Sequence, residues 1–433
     1  MRVLMISGIL LSLSKIGLAQ NEYNFYGKGA RAAGMGYAFY AVSDDATVIS
    51  WNPGGMVQIK KPEVAFVNRL TTTEYNHLLY GDNKYKPQYN IDYLGFIYPL
   101  KLKQKDLVLG LCFQNKINYK SVYSTDKDTT LGYNEYSNRA TVNSISVSAA
   151  YSITRFLGVG ITYNYWLSMG NEADDYSFYN TRTWDKERYP YNQNVIESHE
   201  TFRYYGSNFT AGILMDFSPF RVPLRFALRY ESKFALKDAY EADYSLSYRY
   251  SNNIDTTYAE NYHGTEKYFF PSIFSAGLSY RIGDYFTIAC DFDIRPFKDE
   301  VYTYEYKYCK TMVTSHTDTL DYSENVDAYY LLKSNANLNQ FRIGLEYIFH
   351  PKFAFIPVRA GWKNNPTSIS DQSTKDQVYA HSLNFGTGLI LKRISVDFAY
   401  ERYAYSRNVL IIDEYYTEEK IFNSFILSLI VSL

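Results

Sequence analysis

Charged residues recur along this chain at intervals of two and four. Arg225, Arg229 and Glu231 form one such set, Asp291, Asp293 and Arg295 a second. Arg342 with Glu346, and Asp397 with Glu401, make two more. In a β-strand, residues at even spacing share one face. Each set therefore presents its charges together, and both signs are present. Burying such groups requires partners, so two chemistries stay open. One is an internal ion-pair and water network. The other is a path on which the carboxylate of a substrate meets an arginine. Catalysis has no signature here: there is no G-x-S-x-G elbow, no G-x-x-x-x-G-K phosphate loop and no H-E-x-x-H. Cys112, Cys290 and Cys309 are too few and too scattered for a disulfide framework or a zinc site. No catalytic residue, metal ligand or cofactor is assigned, and the chain is not expected to be an enzyme.

The elements that position these charges are strands. Leu224, Phe226, Leu228 and Tyr230 alternate with the first set, so an apolar face opposes a charged one. Leu157, Val159, Ile161, Tyr163, Tyr165 and Leu167 alternate with Gly158, Gly160, Thr162 and Asn164. Fourteen such runs are predicted, near 63–70, 88–99, 106–118, 140–152, 155–168, 203–217, 222–235, 267–281, 284–295, 336–349, 353–363, 380–391, 393–405 and 420–433. Most have the length of about ten residues that a tilted transmembrane strand needs. Their connections alternate strictly between short and long. The long ones are 71–87, 119–139, 169–202, 236–266, 296–335, 364–379 and 406–419. Tight turns at one end and long loops at the other are the habit of up-and-down outer-membrane barrels. The fold class is all-β: a 14-stranded antiparallel transmembrane barrel, its charged faces turned into the lumen.

Composition agrees. The 433 residues include 47 Tyr and 27 Phe but only 12 Pro, and the formal charge of −1 argues against nucleic acid as a partner. Aromatic residues gather at strand ends, as interfacial girdles do. Residues 1–19 read as a cleaved secretory signal peptide, with Arg2, a short apolar core and small residues at Gly17-Leu18-Ala19. No stretch reaches the 18 or so apolar residues of a membrane-spanning helix.

One segment between signal and strands has a different character. Residues 27–57 read GKGARAAGMGYAFYAVSDDATVISWNPGGMV. Gly29, Ala30, Ala32, Ala33, Gly34 and Gly36 allow close approach of backbone to a wall. Asp44 and Asp45 offer an N-cap for a short helix over Ala46 to Ser50. Pro53 should end it, since Asn52 before a proline is pushed away from helical angles. Residues 20–62 are thus expected to form a plug with short helices inside a barrel of residues 63–433.

This segment resembles the N-terminal region of the outer-membrane long-chain fatty acid transporters of the FadL/TodX type. Their pattern reads roughly G-A-R-A-A-G-M-G-x-A, an acidic pair, then an aromatic residue and N-P-A-G. Here it is carried by Gly29, Ala30, Arg31, Ala32, Ala33, Gly34, Met35, Gly36, Ala38, Asp44, Asp45, Trp51, Asn52, Pro53 and Gly55, with Gly54 where the family has Ala. It is also similar to the start of PorV-like shuttle barrels of the type IX secretion system. The resemblance implies an N-terminal plug in a fourteen-stranded barrel, and assigns no role to the lumen charges. It implies passive uptake of hydrophobic or amphipathic small molecules across the outer membrane, gated by the plug near Asn52, Pro53, Gly54 and Gly55. The expected partners are outer-membrane lipid and such a ligand, with the protein a monomer. Secreted proteins are the alternative partner, and a non-transporting surface barrel a third reading. Loops 169–202 and 236–266 are polar for a fatty-acid uptake groove; their Tyr-rich character suits an aromatic platform for an amphipathic ligand.

Overall fold

The computed structural model describes residues 27–77, 81–102, 105–124, 133–169, 172–180, 191–250, 255–298, 300–314, 326–333, 336–351, 354–411 and 414–433. The predicted signal peptide and the first residues of the plug segment lie outside them.

Fourteen staves close into one antiparallel sheet. They are β1 (Glu63–His77), β2 (Gln88–Leu102), β3 (Lys105–Asn118), β4 (Thr141–Ser152), β5 (Leu157–Leu167) and β6 (Tyr191–Asp216). Next come β7 (Leu224–Glu231, continued by Phe234–Tyr250), β8 (Asp255–Phe270, continued by Ile273–Ile282) and β9 (Phe286–Ile294, continued by Val301–Thr314). The rest are β10 (Val326–Lys333, continued by Gln340–Phe349), β11 (Ile356–Ser370), β12 (Gln377–Ile390), β13 (Ile394–Ile411) and β14 (Glu414–Ser432). Closure is made by β1 against β14, in register from Glu63↔Ser432 to Asn76↔Glu419. Closure joins the first and last staves, so neither presents the free sheet edge that a bilayer would penalise.

Each stave turns its apolar set outward. Leu94 and Phe96, Ile161 and Tyr163, Leu383 and Phe385 are exposed, while Gly95, Thr162 and Asn384 between them are buried. The buried set is rich in Ser, Asn and charge, and it faces the plug.

The long connections depart from expectation. Residues 236–266 read as a loop, yet β7 and β8 pair continuously through them from Phe234↔Phe270 to Arg249↔Asp255. Residues 169–202 hold the strand Glu172–Asn180 and the first part of β6, which pair with each other. Within 71–87 and 119–139 lie three more short strands, Gly81–Tyr85, Ser121–Ser124 and Tyr133–Asn138. The strands carry the wall beyond the apolar band. Strand pairing there has no lipid to face, so no outer apolar row is needed, and the two-residue hydrophobic period disappears from the sequence. Tyr and Thr, both strand formers, were the remaining signal.

The turn after β11 is pinned by Asp371. Its carboxylate accepts from the Ser373 hydroxyl at 2.5 Å and from the backbone N–H groups of Asn408 (2.7 Å), Ser373 and Thr374. These donors, the Ser373 hydroxyl foremost, hold it well below the usual carboxylate range.

Candidate functional site

The described part of the plug, from Gly27 onward, is a chain of three short helices: an α-helix, Ala30–Gly34, and two 3-10 turns, Ala46–Ser50 and Pro53–Gln58. Asp45 caps the second, accepting from Thr47 N at 2.8 Å. Asn52 caps the third, accepting from Gly54 N at 3.1 Å, and Pro53 opens it, where a missing N–H is harmless. Proline therefore ends one turn and starts the next. Trp51 is wholly buried at the centre, its Nε1 donating to Lys28 O at 2.8 Å and its ring 5.5 Å from Phe39 and 5.8 Å from Tyr40.

The plug meets the wall all the way round. Its first helix lies against β11 to β14, the second against β1 to β3, the third against β3 to β6. Between them, Asp291 of β9 accepts from the N–H groups of Phe39 and Tyr40 at 2.6 and 2.9 Å. Backbones touch where both sides are glycine. A Cβ on Gly34 would stand 2.9 Å from Gly386 Cα, and one on Gly54 2.7 Å from the Gly212 carbonyl oxygen. Gly160, Gly212, Gly344, Gly361 and Gly386 all lie opposite the apolar face of their strands; alternation placed Gly160 on that small, polar face, but nothing in the sequence marked the wall glycines as partners of the plug.

Charge fastens the contact. Arg31 of the first helix makes two bonds to Glu346 of β10, each 2.9 Å. Its third goes to Asp44 at 2.6 Å. Glu346 also takes Arg359 at 2.6 Å, and Arg359 takes Asp397 at 2.6 Å. On the other side Asp44 stands 3.5 Å from Arg225, itself paired with Asp216. A second set joins Glu401 to Lys363 at 2.8 Å, to Arg69 at 3.2 Å and to the plug hydroxyl of Tyr37 at 2.6 Å. A third holds Asp293 between Arg295 and Arg342, with Arg342 donating to Tyr37 O at 3.1 Å. Arg229 pairs with Glu231. Of the charges singled out in the sequence, all ten thus lie on the inner face. Reasoning from alternation missed Arg69 and Asp92, which have no second charge two or four positions away in their strands, and also missed Arg359 and Lys363, although these two share one face of β11 at a spacing of four.

Beyond the plug the lumen changes to aromatic. Trp166, Phe202, Tyr204, Tyr240, Phe270 and Phe297 form a buried cluster of their own. Phe234 lies 4.7 Å from Trp166 and stacks on Phe270 at 4.9 Å. Phe202 stands 5.6 Å from Tyr240. Three of these, Phe202, Tyr240 and Phe297, come from stretches read as loops. Lys116, also buried, puts its ammonium 5.3 Å over Trp166, and makes no ion pair or hydrogen bond among the described residues.

The wall beside Lys116 has a seam. β2 and β3 pair from Leu102↔Lys105 to Tyr93↔Gln114 and no farther. Yet β2 runs on along β1 to Gln88, and β3 along β4 to Asn118. Bulges lie on both sides, one skipping Asp92 and the other Lys116. Among the described residues only side chains cross between Gln88 and Asp92, Lys120 Nζ to Asn90 Oδ1 at 3.0 Å and Asn118 Nδ2 to Gln88 Oε1 at 3.4 Å, before the backbone ladder resumes with Lys86 N to Val122 O at 2.9 Å.

No protein-family model matches the chain, and no curated protein does. Solved structures do match. The P. putida toluene transporter TodX superposes with a TM-score of 0.66 at 11% identity, over 95% of this chain and 99% of its own. The Ralstonia pickettii toluene transporter TbuX gives 0.58 at 14%, over 95% and 100%. CymD, a monoaromatic hydrocarbon channel, gives 0.58 at 14%, over 95% and 99%. Identity this low speaks of architecture alone, and in architecture the chain is a plugged fourteen-stranded barrel of the FadL/TodX type.

Proposed function

We propose that this protein is an outer-membrane channel for passive uptake of hydrophobic or amphipathic small molecules, gated by its plug. The observation that carries the reading is the buried aromatic cluster above the plug, Phe202 and Tyr240 with Trp166 and Phe270. A hydrocarbon surface finds there a wall it can lie on. Lys116 beside Trp166 suits a polar or anionic end on the same molecule. The structures of like fold are described as transporters or channels for toluene and monoaromatic hydrocarbons, which favours small molecules over secreted proteins as cargo.

Two closed places could open as an exit from the aromatic lumen. Directly below it the plug must shift, and the joint for that is Asn52-Pro53-Gly54-Gly55. Sideways, the β2–β3 seam is crossed by two side-chain bonds rather than a backbone ladder. The plug reading puts the gate at the joint. Purified protein titrated with toluene and with a naphthyl carboxylate, read by quenching of tryptophan fluorescence, tests the binding surface. Saturable quenching that Phe202→Ala with Tyr240→Ala weakens about tenfold or more supports it. Quenching untouched by that pair of changes contradicts it.

A further inference from the structure

The lipid-facing wall carries a groove of 590 Å³ across β5 to β9, with Ala211 and Ala276 on its floor and Ile213, Tyr230, Phe274 and Phe292 around them. Register explains the hollow. One outward row runs Ala211, Tyr230, Phe274, Ile294, and the next runs Ile213, Leu228, Ala276, Phe292. In each row an alanine stands beside large residues, at offset positions, so the two gaps join into one slot.

Above the groove the same staves carry cations on their outer face. Lys237 of β7 and Lys267 of β8 stand directly opposite each other. Lys233, exposed, sits in the break that divides β7. Among the described residues none of the three makes an ion pair. Like charges placed directly across a sheet repel, so this pair is poised for an anion. Their surroundings are those of a membrane border: Phe269, 40% exposed, lies two residues nearer the bilayer than Lys267, and the ammonium of Lys237 lies 5.9 Å over the ring of Tyr205. The outward carboxylates Glu241 and Glu305 stand farther from the groove than the lysines, and Glu300 lies within electrostatic reach of Lys233, which leaves the facing pair Lys237 and Lys267 as the principal anion contacts.

Phe274 at the groove lies seven positions along β8 from Lys267. At a rise of about 3.3 Å per residue and a strand tilt of about 40°, that is roughly 15–20 Å along the membrane normal. One leaflet of a hydrocarbon core about 30 Å thick is of that depth.

We propose that this face holds one anionic lipid of the leaflet on the long-loop side, its phosphate on Lys233, Lys237 and Lys267 and an acyl chain in the groove. Basic residues at the membrane border attract anionic headgroups, and the slot fixes a chain that would otherwise slide over a smooth wall. The inference rests on the barrel and its lipid face, and not on uptake.

The test is native mass spectrometry of the full chain released from nanodiscs of dimyristoyl phosphatidylglycerol and dimyristoyl phosphatidylcholine in equal parts. Retention of one phosphatidylglycerol in preference to phosphatidylcholine is expected. Lys237→Gln with Lys267→Gln should reduce that retention roughly tenfold, and Ala276→Phe, which fills the slot with all lysines intact, should reduce it too. Heat-modifiable migration on gels shows that each variant is folded. Equal retention of the two lipids would overturn the proposal, as would retention unchanged in both variants. Displacement by millimolar inorganic phosphate would also overturn it, since a bare anion site needs no chain.

Discussion

Arg31 of the plug and Glu346 of β10 meet through two parallel hydrogen bonds, 2.9 Å each, with Glu346 wholly enclosed. The same carboxylate holds Arg359, so one acidic group ties the plug to two staves. Removing its charge leaves Arg31 with Asp44 alone and Arg359 with Asp397 alone. Glu346→Gln should lower the unfolding free energy by about 3 kcal/mol, the scale of a broken buried pair, read from urea titration of the folded barrel. Replacing Arg31, Glu346 and Arg359 together by apolar residues should recover part of it. A loss within experimental error for Glu346→Gln would show that the pair is idle.

The plug's fit rests on paired glycines, and Gly34 against Gly386 is the plainest case. Gly34→Val has nowhere to put its side chain without moving the first helix from the wall. In planar bilayers the variant should conduct more than wild type, and deletion of residues 29–55 should conduct more still. Wild-type conductance in both would remove the plug as the barrier.

The fold was legible because lipid imposes a period of two. Outward Leu, Ile, Val and Phe wrote fourteen staves into the sequence, and the charges of β7, β9, β10 and β13 fell on the opposite face. What lay beyond the lipid was hidden: from Asp255 to Lys267 no apolar row exists to be seen, though β8 runs straight through. The plug was legible in its own residues, from Gly29 to Gly55. Its counterpart was not. Gly212 and Gly386 look like any small lumen residue until the plug backbone is laid on them. Lys116 and the seam were invisible, since a bulge leaves no mark in a strand whose faces are both buried there.

Orientation follows from the two kinds of connection. With the native cysteines replaced by serine, Lys375→Cys in the turn after β11 should react with an impermeant maleimide on intact cells. Asp284→Cys, in the tight turn between β8 and β9, should react only after the outer membrane is opened. The reverse pattern would invert the barrel.

The seam and the joint make different demands. Cysteines at Asn90 and Lys120, bridged by a short bis-maleimide, should fix the seam and leave uptake per folded barrel unchanged if molecules leave past the plug. A fall of severalfold would move the exit to the wall.

The central claim, that hydrophobic molecules pass when the plug yields at Asn52-Pro53, is tested most directly by uptake itself. Asn52 donates to the Ile213 carbonyl at 3.0 Å and caps the turn that Pro53 opens. Asn52→Ala removes both bonds, and Pro53→Ala frees the joint, each at a stability cost of about 1 kcal/mol. The measurement is the initial rate of uptake of a labelled monoaromatic hydrocarbon, normalised to heat-modifiable folded barrel in the outer membrane. The predicted result is a rate for wild type well above that of cells lacking the protein, and a rate changed at least severalfold in both variants at normal barrel abundance. Equal uptake with and without the protein, or wild-type rates in both variants, would contradict the account.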